Sequence, residues 1–365
     1  MTAASSSVAC VGSCLLCVVG SGAHTSNAAE LPAPRERESI PGIEVLYSDA
    51  AVDNGDRVRL IVTRPQGTHA PLPVAFLVGW LSCDSVSWPK GPPFGLAHAW
   101  IEIAQHSGYM TVRMEKPGVG DSVGPPCAKL DFERELAAYR AAYAAAVAQP
   151  GADTTRLVVV GMSNGGGFAP LVPDLHAPFG YVVIGGWLKT WYEHMLEYER
   201  RRLSLMDTSA GDVNAALARY EVFYELYLIE GMTPGEVLRR HPEMRRDWHD
   251  AEDGQFERPA AFFQQLQRVN VAEAWSRVRV PVLAIHGEYD WIMTAEDHRE
   301  MVRMSASQGA SMSRVLEAPK TSHLLERLDS AGAALEGSGD YNAEVGAEIV
   351  AWLKALARSS PGVHH

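Results

Sequence analysis

The sequence predicts an α/β fold: a mostly parallel, twisted sheet with helices on both faces and a helical cap inserted into it. Three observations predict it. From Gly42 onward, apolar β-branched runs alternate with helical patterns, as in chains built from strand–helix–strand units. Several of these runs, such as "PVAFLVGW" (73–80) and "RLVVVG" (156–161), are almost continuously apolar, as strands buried on both faces are. The alternation then stops over 189–276 and resumes afterwards.

The 365 residues are 47% hydrophobic and 21% charged, ordinary globular composition with room for one large domain or two moderate ones. The net charge is −12 and no basic run stands out, so no nucleic-acid partner is expected. Residues 1–34 contain no Lys or Arg, and Val8–Gly20 is apolar with Cys10, Cys14 and Cys17. That run is too short to span a bilayer. It has the length of a signal-peptide core, with small residues at Ser26-Asn27-Ala28. Residues 1–29 are therefore expected to be a signal peptide. The protein is then secreted or periplasmic, with no stable membrane insertion once the leader is removed. The missing basic segment leaves a cytoplasmic chain with a disordered N-terminus as the alternative. Cys83 and Cys127 remain after removal; they could pair in an oxidising compartment, or stay as two free thiols.

The elements follow in order. "IEVLYSDA" and "RVRLIVTRP" flank "VDNGD", a hairpin turning at Asn54-Gly55. "PVAFLVGW" is a buried strand, "GLAHAWIEIAQHSG" a helix ending at Gly108, and "YMTVRMEKPG" the next strand. Residues 131–149 form an alanine-rich helix with Asp131 as N-cap. "RLVVVG" leads into a glycine-rich turn, and "GYVVIGGW" (180–187) is another strand. The core's first part thus spans 30–188. Residues 189–276 read as a helical cap with no strand. In it, Thr233-Pro234-Gly235-Glu236 has capping-box spacing. The core's second part, 277–365, holds "VRVPVLAIHGEYD", a helix capped by Thr294, the strand "RVLEAP" and a closing amphipathic helix over 342–358.

Gly161-Met162-Ser163-Asn164-Gly165 matches G-x-S-x-G, but so does Gly120-Asp121-Ser122-Val123-Gly124. Context separates them. A nucleophile elbow needs a strand directly before the serine and a helix directly after it. Ser163 follows "LVVVG" without a gap, whereas Pro125-Pro126 block a helix after Ser122. Ser163 is the expected nucleophile and Ser122 a loop residue. A serine hydroxyl needs a base and a group to orient that base. Asp290, past "AIHGEY", and His323, in "APKTSHLL", follow the serine in the order acid then histidine. Both end strands at the sheet edge where open α/β folds bind ligands. Among the rivals, Glu288 sits earlier in its turn, His286 is expected in the core, and His298 is expected to be exposed on a helix.

These motifs, "GMSNGG", "HGEYDWI", "TSHLL" and "EKPGVGDSVG", resemble those of the α/β-hydrolases over about residues 40–358. "GWLSCDSVSWP" with "RMEKPGVGDSVGPPC" also resembles a bacterial subgroup of predicted exported hydrolases. Val78 stands where many members carry the His of "HG", and Pro170 and Pro173 shorten or kink the helix after the nucleophile.

The expected chemistry is acyl transfer to water. His323 takes the proton of Ser163 and Asp290 orients His323. The oxyanion would meet the backbone N–H of Asn164 and one from Trp80, or else Leu81. Trp187, Trp191 and Trp291 are pocket candidates, suiting a small apolar or aromatic ester; packing of the cap against the core is the alternative. A Cys83–Cys127 bond would tie together the loops on the oxyanion side. No metal or cofactor is expected: no ligand cluster or dinucleotide fingerprint occurs. An amide-cleaving peptidase with the same triad, and a non-catalytic binding protein on the same scaffold, remain the alternative functions. The sequence leaves the oligomeric state open.

Overall fold

The structure is a computed structural model that describes residues 30–34, 36–337 and 339–359. The expected signal peptide, with Cys10, Cys14 and Cys17, lies outside them.

The main sheet has eight strands: β1 (Ile43–Ala51), β2 (Arg57–Pro65), β3 (Leu72–Val78), β4 (Met110–Met114), β5 (Ala152–Met162), β6 (Gly180–Ile184), β9 (Val282–Gly287) and β10 (Arg314–Ala318). The remaining strands are two-residue pairs, β7 (Gly254–Gln255) with β8 (Arg258–Pro259), and β11 (Glu326–Arg327) with β12 (Asp340–Tyr341). The sheet order is β1-β2-β4-β3-β5-β6-β9-β10. Only β2 runs against its neighbours; from β4 to β10 every pairing is parallel.

The continuously apolar strands supply two cores by simple alternation. On β5, Leu157 and Val159 face one core while Val158, Val160 and Met162 face the other. β3 divides in the same way, Val74, Phe76 and Val78 against Ala75 and Leu77. Helices α1 (Gly95–His106) and α11 (Ala343–Arg358) cover the second face through Trp100, Ile103, Ile349 and Leu353. The first face is covered by α2 (Phe132–Val147), α3 (Asn164–Phe168) and α9 (Ala295–Ala306). Asp131 caps α2 by accepting from Arg134 N at 2.9 Å, and Thr294 caps α9 by accepting from Asp297 N at 3.2 Å. A short α10 (Ala333–Glu336) precedes β12.

Between β6 and β9 lie α4 (Trp191–Leu205), α5 (Ala210–Tyr224), α6 (Pro234–Arg240), α7 (Ala260–Gln267) and α8 (Val271–Ser276). Thr233 and Glu236 form the expected capping box. The expectation of no strand here needs one correction, the β7–β8 pair. Its turn holds Phe256 and Glu257 at φ +48° and +60°, a turn chemistry that leaves no periodic signal.

Candidate active site

Ser163 sits between the last residue of β5 and the first of α3, at φ +56°. That left-handed backbone is costly for a non-glycine residue and persists only where neighbours enforce it. Here Ser163 N donates to Ile184 O at 2.8 Å, and Ser163 O accepts from Gly166 N at 2.8 Å. The helix can start at once only because residue 165 is glycine: a Cβ there would run into the carbonyls of Val78 and Gly79. Pro170 falls in a single 3-10 turn over 169–171, so α3 is cut to one turn and a half.

Three side chains from three strand ends meet at this turn. Ser163 Oγ is 2.8 Å from His323 Nε2, and His323 Nδ1 is 2.8 Å from Asp290 Oδ2. Asp290 Oδ1 accepts from Ile292 N and Met293 N, both at 2.9 Å. Burial alone would raise the Asp290 pKa. The facing His323 and these backbone donors outweigh burial and hold it down at about 2. The loop carrying His323 is itself braced. Tyr289 N donates to Thr321 O at 2.9 Å, and Asn342 Nδ2 to Thr321 Oγ1 at 2.8 Å.

The rivals have other partners. Glu288 Oε2 accepts from Lys320 N at 2.7 Å, so it braces the histidine loop. Ser122 Oγ donates to Glu115 O and accepts from Arg59 N, both at 2.8 Å. His286 is buried on β9, as expected of a core residue. His298 corrects an expectation: it is fully buried rather than exposed, because α9 turns this face onto the sheet. Its Nδ1 donates to Thr294 O at 2.7 Å and its Nε2 accepts from Gly186 N at 2.9 Å. Those partners require the neutral ring, and burial lowers its pKa to about 4.

A cavity of about 410 Å³ opens on Ser163 and His323. Trp80, Phe94, Trp191, Tyr198 and Phe256 give it an aromatic wall, and Asn164 and Leu81 also border it. Trp187 and Trp291 do not line it, contrary to expectation. Trp187 is wholly buried beneath the elbow, its Nε1 donating to Asn164 O at 3.1 Å. Trp291 donates from Nε1 to Ala334 O at 3.1 Å and packs on Tyr198. Sequence reasoning missed His194, which lines the cavity one turn beyond Trp191. The spacing 191, 194/195, 198 on one amphipathic face was the available signal. A larger groove of about 710 Å³ between α4, α8 and α9 touches none of the three residues.

Cys83 and Cys127 form a disulfide with Cα atoms 5.9 Å apart, joining the loop after β3 to the turn before α2. Among the described residues, no cluster of three or more His, Cys, Asp or Glu could hold a metal ion, and no helix is long and apolar enough to cross a membrane.

No family model and no curated protein matches the chain. Solved structures do resemble it. An esterase of Pyrococcus furiosus aligns with a TM-score of 0.53 at 11% identity, covering 88% of this chain and 97% of that one. DcsB, solved with a substrate analogue, aligns at 0.53 and 16%, covering 87% and 100%. Est1E from Butyrivibrio proteoclasticus, solved with ferulic acid, aligns at 0.52 and 15%, covering 86% and 97%. With the strand order above, these likenesses establish the α/β-hydrolase fold.

Proposed function

We propose that this chain is a serine hydrolase that cleaves a carboxylic ester of a small apolar or aromatic substrate through an acyl-enzyme. The observation that carries the reading is the unbroken run of hydrogen bonds from Ser163 through His323 to Asp290, at the mouth of an aromatic cavity.

His323 Nε2 takes the Ser163 proton as Oγ attacks the ester carbonyl. Asp290 keeps the proton of the resting imidazole on Nδ1 and stabilises the imidazolium that forms. The backbone N–H of Asn164, with that of Trp80 or Leu81, receives the oxyanion; one such donor is worth about 3 kcal/mol. The imidazolium then protonates the departing alkoxide. Water then attacks the acyl carbon as His323 takes its proton; the acyl–Oγ bond breaks, the imidazolium returns that proton to Ser163 Oγ, and the acid leaves. The helical insertion acts as a cap supplying Trp191, Tyr198 and Phe256 to the pocket. Export belongs to the same reading, supported by a disulfide of the kind oxidising compartments maintain.

Labelling with a serine-reactive fluorophosphonate tests the assignment. Wild type and Ser122→Ala should label and Ser163→Ala should not; labelling that survives Ser163→Ala would overturn it. Chromogenic esters and amides with matched acyl groups then test the bond cleaved. Faster turnover of amides would make the chain an amidase or peptidase, and neither labelling nor turnover would leave a binding scaffold.

A further inference from the structure

Behind the loop that follows β3 lies a buried charged cluster that the mechanism above does not use. Lys116, just past β4, is 5% exposed. Its Nζ donates to three successive backbone carbonyls: Trp80 O at 2.6 Å, Leu81 O at 3.2 Å and Ser82 O at 2.9 Å. Nζ also lies 3.2 Å from Glu135 Oε1 on α2. The other Glu135 oxygen pairs with Arg258 of β8. Arg258 Nη1 in turn donates to Leu81 O at 3.1 Å and lies 3.0 Å from Cys83 Sγ. Glu135 and Arg258 are as buried as Lys116. Taking three charges out of water costs several kcal/mol each before pairing repays it.

The geometry of the peptide group says what the cluster does. In a trans peptide the N–H points opposite to the C=O. Three carbonyls turned onto Lys116 therefore turn the N–H groups of Leu81, Ser82 and Cys83 away from it. Trp80, Leu81 and Ser82 line the cavity and Lys116 does not. The ammonium thus holds the carbonyl side of a loop whose residues border the cavity.

We propose that Lys116 is a positioning residue: it sets the backbone donors of loop 80–83 toward the oxyanion, with Glu135 and Arg258 holding its ammonium in place. This rests on the catalytic reading above. The charged groups facing Lys116 are Glu135 from α2, Arg258 from β8 and Asp84 from the loop itself. Burial lowers the Lys116 pKa to about 8, with Glu135 and Asp84 opposing the shift and Arg258 adding to it. Above that pH a neutral amine has two N–H donors for three carbonyls and a carboxylate.

The test is the pH profile of kcat and KM for a neutral aryl ester, with thermal melting of every variant. Wild-type kcat should fall as pH rises through about 8. Lys116→Met should lower kcat about a hundredfold at neutral pH, leave KM nearly unchanged and flatten the alkaline limb. Glu135→Gln, which removes the charge favouring the ammonium, should move the limb to lower pH. A Lys116→Met protein that melts lower but keeps the wild-type kcat and limb overturns the proposal, as does a wild type with no limb. Should Lys116→Met not fold, Glu135→Gln decides alone, and an unmoved limb overturns it. Failure of the catalytic reading shows separately, as a wild type that does not label at Ser163.

Discussion

Gly185 stands against the imidazole of His323: a Cβ on it would lie 2.7 Å from His323 Cε1 and 3.4 Å from Asp290 Oδ2. The residue is at φ +60° and its N–H is tied to Ile285 O at 3.0 Å, so the backbone has little room to retreat. The first residue past β6 thus forms the wall that His323 rests on.

Gly185→Ala is predicted to push the ring off its line with Ser163 Oγ. Displacements of about 1 Å at a reacting group cost on the order of 100-fold, so kcat should fall by about that much. The left-handed backbone should cost a further 1–2 kcal/mol of stability, roughly, visible in thermal melting. Wild-type kcat in this variant would mean that the imidazole relocates freely.

Asp290→Asn keeps an oxygen for Ile292 N and Met293 N but turns an amide donor toward His323 Nδ1, forcing the wrong tautomer. The expected loss in kcat is about 10⁴-fold with melting little changed. A loss under about tenfold would remove Asp290 from the orienting role.

Asp290 also couples stability to acid. Its folded pKa, about 2, lies below the ordinary 3.8. A lowered folded pKa means stabilisation that is present above the unfolded value and lost as pH falls through the folded one. The contribution is on the order of 2 kcal/mol, lost between about pH 4 and pH 2. Urea titrations across that window should show wild type losing more stability than Asp290→Asn; parallel curves would refute the linkage.

Replacing Cys83 and Cys127 together by alanine opens a link between residues 44 apart in sequence. The expected loss is about 2–4 kcal/mol in stability, read from urea melts against the oxidised wild type. Equal stability would mean that the bond constrains nothing the fold does not already hold.

His194 packs against Trp191 inside the cavity, with ring centroids 4.8 Å apart and the planes tilted by 41°. Burial, with the charge of Arg201, lowers its pKa to about 3, so it is neutral at neutral pH. His194→Phe should keep the ring packing against Trp191 and remove a polar group from the cavity wall. An alkyl ester should be turned over within about threefold of wild type. The KM of a hydroxyl-bearing aryl ester should rise about tenfold, the worth of one unmatched hydrogen bond. Equal losses on both substrates would make His194 part of the scaffold only.

The succession of strands and helices, three of the helix caps and the residues Ser163, Asp290 and His323 were legible because each is written locally. An apolar run ends, and a serine, a carboxylate or a histidine stands in the turn just beyond it. What was not legible depends on which way a side chain turns. Trp187 and Trp191 are four residues apart, yet one lies under the elbow and the other lines the cavity. His298 looked exposed because its helix carries many charges, although its own face packs on the sheet. The Lys116 cluster was invisible for another reason. Arg258 pairs with Glu135 across 123 residues, a distance no motif spans.

The Arg258 contact with Leu81 has a consequence for engineering. The insertion between β6 and β9 is not an exchangeable module bolted onto a finished core, since one of its guanidinium groups grips a core loop 177 residues earlier. Grafting a foreign insertion to retune the pocket would discard that grip. A successful chimera has to carry Arg258 and its two-strand turn across the junction.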